Sequence, residues 1–110
     1  MKRYKSSLYD NISAIAEHKD NIRQIQIISY APDGSATNYI EPEKYNDYIN
    51  FLQSVKVSSC NNTNLCGTSK RLTIRFDNNT EFSALFMRYY ISFGSRYYKI
   101  ENYKDINNIL

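Results

Sequence analysis

The sequence predicts an α+β domain in which an antiparallel sheet of about five strands is covered on one face by a central amphipathic helix. Apolar residues recur at steps of three and four over residues 42–54 but alternate with polar residues over residues 22–30 and 71–76. The links between successive predicted strands are short, which favours antiparallel pairing. Short helices are expected near both ends of the chain.

Length and composition indicate one globular domain. The 110 residues, of which 42% are hydrophobic and 23% charged, suffice for one ordinary core. Residues 1–110 are therefore predicted to form a single domain, with residues 1–6 as a flexible N-terminal tail. The 11 Tyr and absence of Trp match an A/T-rich bacterial genome and need no functional explanation.

The N-terminal half is predicted to form a helix and then a β-hairpin. Apolar residues fall at helical spacing over residues 7–17, and the period changes to alternation over 22–30. The segment Ala31-Pro32-Asp33-Gly34 is a turn signal, because Pro presets φ and Gly tolerates unusual backbone angles. Residues 35–41 are expected to return as the second strand.

The central helix is predicted over residues 42–54. Pro42 suits the first helical position, and Glu41 and Glu43 suit the positive end of the helix dipole. An isolated helix of this length is marginal in water, so its apolar stripe is expected to cover the sheet. The stripe consists of Tyr45, Tyr48, Ile49, Leu52 and Val55.

The C-terminal half is predicted to consist mainly of antiparallel strands joined by tight turns. Residues 71–76 alternate strictly, and Val57 is a candidate start for a further short strand. The other predicted elements are a turn at 77–80, a long strand or bent pair over 81–93, a two-residue hairpin at 93–96, a strand over 97–100 and a terminal helix capped by Asn102.

Cys60 and Cys66 enclose a short polar loop, and this spacing favours a disulfide that closes a small ring. Such a bond would stabilise the fold by about 2–3 kcal/mol in the chain-entropy model. Two reduced thiols remain the alternative. With His18 as the one histidine, the chain has neither paired Cys-x-x-Cys knuckles for zinc nor a distinguished catalytic triad. We therefore predict no catalytic residues, no metal site, no cofactor and no enzyme activity.

The outer faces of the C-terminal strands are rich in Arg and Tyr, which are frequent at protein interfaces and can also stack on nucleic-acid bases. A solvated sheet face without a ligand is the alternative, because strands need polar outer residues. The net charge of +3 neither requires nor excludes an anionic partner. The predicted binding residues are Arg71, Thr73, Arg75, Arg88, Tyr90, Arg96 and Tyr97.

The order of elements resembles that of small uncharacterised domains from low-G+C Gram-positive bacteria, many of them exported proteins or lipoproteins. The resemblance rests on Ile22–Ile27, Asp33-Gly34, the helix over 42–54, Arg71–Phe76 and Tyr97–Ile100. It implies a location in the cell envelope, provided that an export signal precedes Met1; otherwise a cytoplasmic location is expected. No apolar stretch in the sequence approaches the roughly 18–20 residues that span a bilayer.

Three functional hypotheses follow. The first is a non-catalytic binding or structural module that contacts another protein or a cell-wall component through its Tyr/Arg-bearing sheet face. The second is a cytosolic inhibitor or immunity-type regulator that uses the same face. The third, a binder of single-stranded nucleic acid, is less favoured because the basic charge is sparse. The sequence leaves the oligomeric state open.

Overall fold

A computed structural model of the chain describes residues 8–60, 69–104 and 110. These residues form a seven-stranded sheet with two α-helices packed on one of its faces, and every neighbouring pair of strands is antiparallel. The predicted α+β class and antiparallel pairing are confirmed. The predicted number of strands and the covering by a single central helix are not confirmed. The sheet has seven strands, and both α1 and α2 pack on it.

The helices are α1 (Leu8–Glu17) and α2 (Tyr45–Ser54), and each lies next to a short 3₁₀ turn, at Lys19–Asn21 and Pro42–Lys44 respectively. The strands are β1 (Ile22–Ala31), β2 (Gly34–Tyr39), β3 (Val57–Cys60), β4 (Ser69–Phe76), β5 (Glu81–Phe86), β6 (Tyr90–Phe93) and β7 (Arg96–Ile100). Their order across the sheet is β2-β1-β4-β5-β6-β7-β3. The edges of the sheet are therefore β2 and β3.

The predicted N-terminal helix and hairpin are confirmed. Helix α1 buries Leu8, Ile12 and Ile15 against the sheet and α2. Strands β1 and β2 pair from Ala31 opposite Gly34 outward, so Pro32-Asp33 form a two-residue loop. Gly34 has φ = 144°, which a side chain would disfavour, and this explains the glycine at that position.

The helix predicted over residues 42–54 is matched in part: its first turn, Pro42–Lys44, is 3₁₀ rather than α, a common variation at helix ends, and the α-helix begins at Tyr45. The predicted stripe faces the core, but Phe51 is also buried and packs 5.7 Å from the Phe86 ring centroid. The buried stripe is therefore wider than the sequence spacing suggested, because Phe51 packs against Phe86 of β5. Burial, and to a lesser degree the Asp47 carboxylate, raises the pKa of the Tyr48 phenol.

The prediction of about five strands is wrong for two reasons. Val57–Cys60 forms a full edge strand paired with β7, and residues 81–93 form two strands rather than one. The break falls where the backbone of Met87 and Tyr90 is joined by hydrogen bonds of 2.8 and 3.4 Å in a tight turn. The two-residue hairpin after Phe93 is confirmed: Gly94 (φ 58°) and Ser95 (φ 69°) are both left-handed, as a type I′ turn requires.

The C-terminal segment differs from the prediction where the structure describes it. Asn102 does not cap a helix; its side-chain amide donates to the Ser54 carbonyl at 2.8 Å and accepts from the Lys56 N–H at 2.9 Å. It thereby ties residues 101–104, which form turns, to the end of α2. The body of the predicted helix, residues 105–109, and the predicted tail, residues 1–6, lie outside the described residues.

We expect Leu52→Ala to lower the free energy of unfolding by about 2–5 kcal/mol, because the side chain is 1% exposed and its removal leaves a cavity. Urea unfolding followed by circular dichroism measures the change. The neighbouring exposed residue gives the matched control, and Gln53→Ala should change stability by no more than about 0.5 kcal/mol. A similar small loss for both variants would show that α2 does not face the core.

Candidate functional site

The face of the sheet opposite the helices is the candidate site. Within residues 8–60 and 69–104, both α-helices pack on the other face, where the buried apolar side chains of the strands gather into one core. We call the uncovered side the open face; it consists of the alternate strand residues that point away from that core. One row of it crosses the whole sheet through Thr37, Ile28, Arg71, Leu85, Ser92, Tyr97 and Cys60.

The structure brings most of the predicted binding residues together. The strand register places five of the seven on the open face: Arg71, Thr73, Arg75, Tyr90 and Tyr97. Their separate strands become neighbours because β4, β5, β6 and β7 follow one another across the sheet. The strand register places these five residues on one face of the sheet. Their role in binding stays a prediction.

Arg88 and Arg96 lie apart from this group. Arg96 is opposite Phe93 in the β6–β7 hairpin and so lies on the helix-bearing face, at an exposed position. Arg88 belongs to the turn between β5 and β6, where its guanidinium carbon sits 5.0 Å from the Tyr89 ring centroid. The expectation that all seven residues share one surface is therefore wrong. The two-residue turn between β6 and β7 places Arg96 on the same face as Phe93, and the break between β5 and β6 places Arg88 outside the strands.

Arg75 is held by side chains of the two strands next to its own, β1 and β5. Its Nε donates to Glu81 at 3.1 Å, and its Nη1 donates to the side-chain oxygens of Gln24 at 2.6 Å and Gln26 at 3.1 Å. The ion pair with Glu81 offsets the guanidinium charge at this end of the open face. Arg75 therefore offers an oriented, partly neutralised group rather than a free cation.

Arg71 occupies the middle of the open face in a more apolar setting. Its register neighbours on either side are Ile28 and Leu85, both half-buried, and its Nη1 donates to the Ser83 hydroxyl at 3.0 Å. The Ser83 hydroxyl also lies 3.3 Å from that of Thr73, which is only 6% exposed. The centre of the open face thus combines packed apolar surface with an oriented guanidinium group.

A groove at one end of the molecule was not predicted from the sequence. It has a volume of about 520 Å³ and lies between α1 and the turn joining β4 to β5. Its floor is apolar, with Ile15 and Phe82, and its rim is polar, with His18, Asp77 and Asn78. Asn11, Ala14 and Ile15 of α1 line the groove, and His18 follows the end of that helix. Their helical spacing is visible in the sequence, but only the packing of α1 beside the β4–β5 turn reveals what they face.

The described residues include one histidine, His18, and one cysteine, Cys60. No three His, Cys, Asp or Glu side chains there come together as a metal site would require. Cys60 ends β3 with its thiol unbonded to any described residue, and Cys66 lies outside the described residues, so the disulfide stays a prediction. None of the helices described is long and apolar enough to cross a membrane.

Comparison of the chain with protein-family models, curated proteins and solved structures finds no match in any of the three. No enzyme family or enzyme fold is therefore found for it. The resemblance to exported Gram-positive domains stays a prediction.

We expect Arg75→Ala to lower stability by less than about 1 kcal/mol, because the side chains of Arg75 and Glu81 are 38% and 51% exposed and water screens such pairs. The adjacent residue points into the core, so Ile74→Ala should cost about 2–5 kcal/mol and serves as the comparison. Thermal unfolding of both variants measures the difference. Equal losses would mean that β4 does not have one open and one buried face.

Proposed function

We propose that this chain is a non-catalytic binding module that recognises another protein through its open face. The observation that carries the proposal is the row of side chains crossing all seven strands, which no described helix covers. A surface that crosses the whole width of the sheet suits the face of another folded protein. We include an extracytoplasmic, envelope-associated location in the proposal; the loop between Cys60 and Cys66, whose spacing suits a disulfide, supports it.

The centre of the open face has the character of an interface hot spot. Arg and Tyr are enriched among residues that dominate binding energy, particularly where they are surrounded by apolar contacts that exclude water. Arg71 has Ile28 and Leu85 beside it, and Tyr97 extends the same row. Because Ser83 already orients the Arg71 guanidinium, binding would cost less side-chain entropy.

The internal pairing of charges favours a protein partner over nucleic acid. Affinity for nucleic acid comes largely from cations that neutralise phosphates. On the open face Arg75 is paired with Glu81 and hydrogen-bonded to two glutamines, which leaves Arg71 and Lys99 as the other cations among the described residues there. A cytosolic inhibitor would use the same surface, and it differs from our proposal in compartment and biological role.

Site-specific photo-crosslinking tests the protein partner. We expect p-benzoylphenylalanine at position 97 to capture a protein from the envelope fraction of the source bacterium, and the same probe at position 53, on the outer side of α2, not to capture it. With the captured protein purified, Arg71→Ala should weaken binding at least about tenfold by calorimetry, whereas Gln53→Ala should leave it unchanged. Unchanged binding by Arg71→Ala would show that the open face is not the interface.

The groove favours a second candidate, the binding of a cell-wall glycan. A pyranose ring has apolar C–H faces and a polar rim, and the groove presents Phe76 and Phe82 below Asn11, Asn78 and Thr80. Its volume of about 520 Å³ is within the range of ligand sites. This candidate uses different residues from those of the open face, so the two can be tested independently.

We expect oligomers of N-acetylglucosamine to shift the NMR signals of groove residues with a Kd in the millimolar range, about −4 kcal/mol of binding free energy. Ala14→Phe should abolish the shifts by filling the groove, since Ala14 lines it. Ser13→Phe, at the exposed position next to it, is the control and should preserve them. Shifts spread over the whole protein, or none at about 10 mM sugar, would exclude a glycan site in the groove.

A further inference from the structure

Strand β2 forms one edge of the sheet and is unusually exposed. All six of its residues, Gly34–Tyr39, are exposed, and none is charged or proline. Edge strands usually carry a charged side chain, a proline or a bulge, or are very short, because their unpaired backbone groups invite pairing with another strand. The opposite edge, β3, is short, with four residues, whereas β2 has none of these protections.

The hydrogen bonding of the hairpin decides which groups of β2 point outward. The Ile40 N–H donates to the Ile25 carbonyl at 2.9 Å, so these opposite residues form a hydrogen-bonded pair. Such pairs alternate along an antiparallel ladder. Asn38, Ala36 and Gly34 therefore bond to β1, while Ser35, Thr37 and Tyr39 direct their N–H and C=O groups away from the sheet.

We propose that β2 pairs with β2 of a second copy of this chain, antiparallel about a two-fold axis at Thr37. Thr37 then lies opposite its own counterpart, and Ser35 lies opposite the second copy's Tyr39, with roughly six main-chain hydrogen bonds formed. Because β2 carries no charged side chain, self-pairing places no like charges opposite one another within the strand.

The side chains of the hairpin are complementary in this register. Tyr39 is 63% exposed and Tyr30 is 37% exposed, and both belong to the open face. Ser35 is opposite Tyr30 within one copy, so the second copy's Tyr39 would lie over the small Ser35 and reach the Tyr30 ring. The pairing thereby covers two exposed aromatic side chains on each copy. It does not depend on what the open face binds.

Sedimentation velocity of the full chain tests the pairing. One strand pair buries less surface than the roughly 1,200 Å² of a stable interface, so the dimer should be weak, monomeric at about 1 µM and mostly dimeric at about 500 µM. Thr37→Pro should abolish the dimer by removing an outward N–H, and should leave the circular dichroism spectrum unchanged because that N–H does not bond to β1. Thr37→Ser retains the N–H and should dimerise normally.

Disulfide trapping tests the register. At the proposed axis the Thr37 Cα atoms lie about 5.5 Å apart, within the range of a disulfide. Thr37→Cys should therefore yield a dimer linked through position 37, as mapped by mass spectrometry of the linked peptides, whereas Ser35→Cys should not, with about 14 Å between its Cα atoms. A chain that is monomeric at about 500 µM, a dimer that survives Thr37→Pro, or efficient trapping at position 35 overturns the proposal.

Discussion

The strict alternation of β4 is the constraint on which the rest of the structure depends. Leu72 and Ile74 are fully buried, and the residues between and beside them, Arg71, Thr73 and Arg75, belong to the open face. A shift of the chain by one residue would exchange the two sets, burying two guanidinium groups and exposing the core. Because β4 lies between β1 and β5, its register also fixes which of their residues face the helices.

The elements that could be predicted from the sequence are those with a strong local period. Strand β4 and helix α2 belong to this class, as does the β6–β7 turn, whose Gly94 permits the left-handed backbone it needs. The elements missed depend on distant partners. Val57–Cys60 becomes an edge strand because β7, more than 35 residues further along the chain, is available to pair with it. The burial of Phe51 likewise depends on Phe86 of β5, 35 residues away in the sequence.

The candidate site divides in the same way. Alternation alone places Arg71 and Arg75 on one side of their strand, but their chemistry depends on neighbours that only the register defines. Glu81 reaches Arg75 across the β4–β5 hairpin, and Gln24 and Gln26 reach it from β1. A surface that looks basic in the sequence is therefore partly neutralised in the fold, and its recognition chemistry changes from attraction of phosphates toward packing against a protein.

The edge strand and the open face are linked through geometry. A two-fold axis at Thr37 would be perpendicular to the sheet, since paired antiparallel strands keep corresponding side chains on the same side. The two open faces would then point in the same direction and form one continuous surface. A ligand that spans both copies would bind more tightly than either face alone and would, by thermodynamic reciprocity, strengthen the weak strand pairing. The free protein would thus be mostly monomeric, and the dimer paired through β2 would become populated when a partner with repeated binding sites spans both copies.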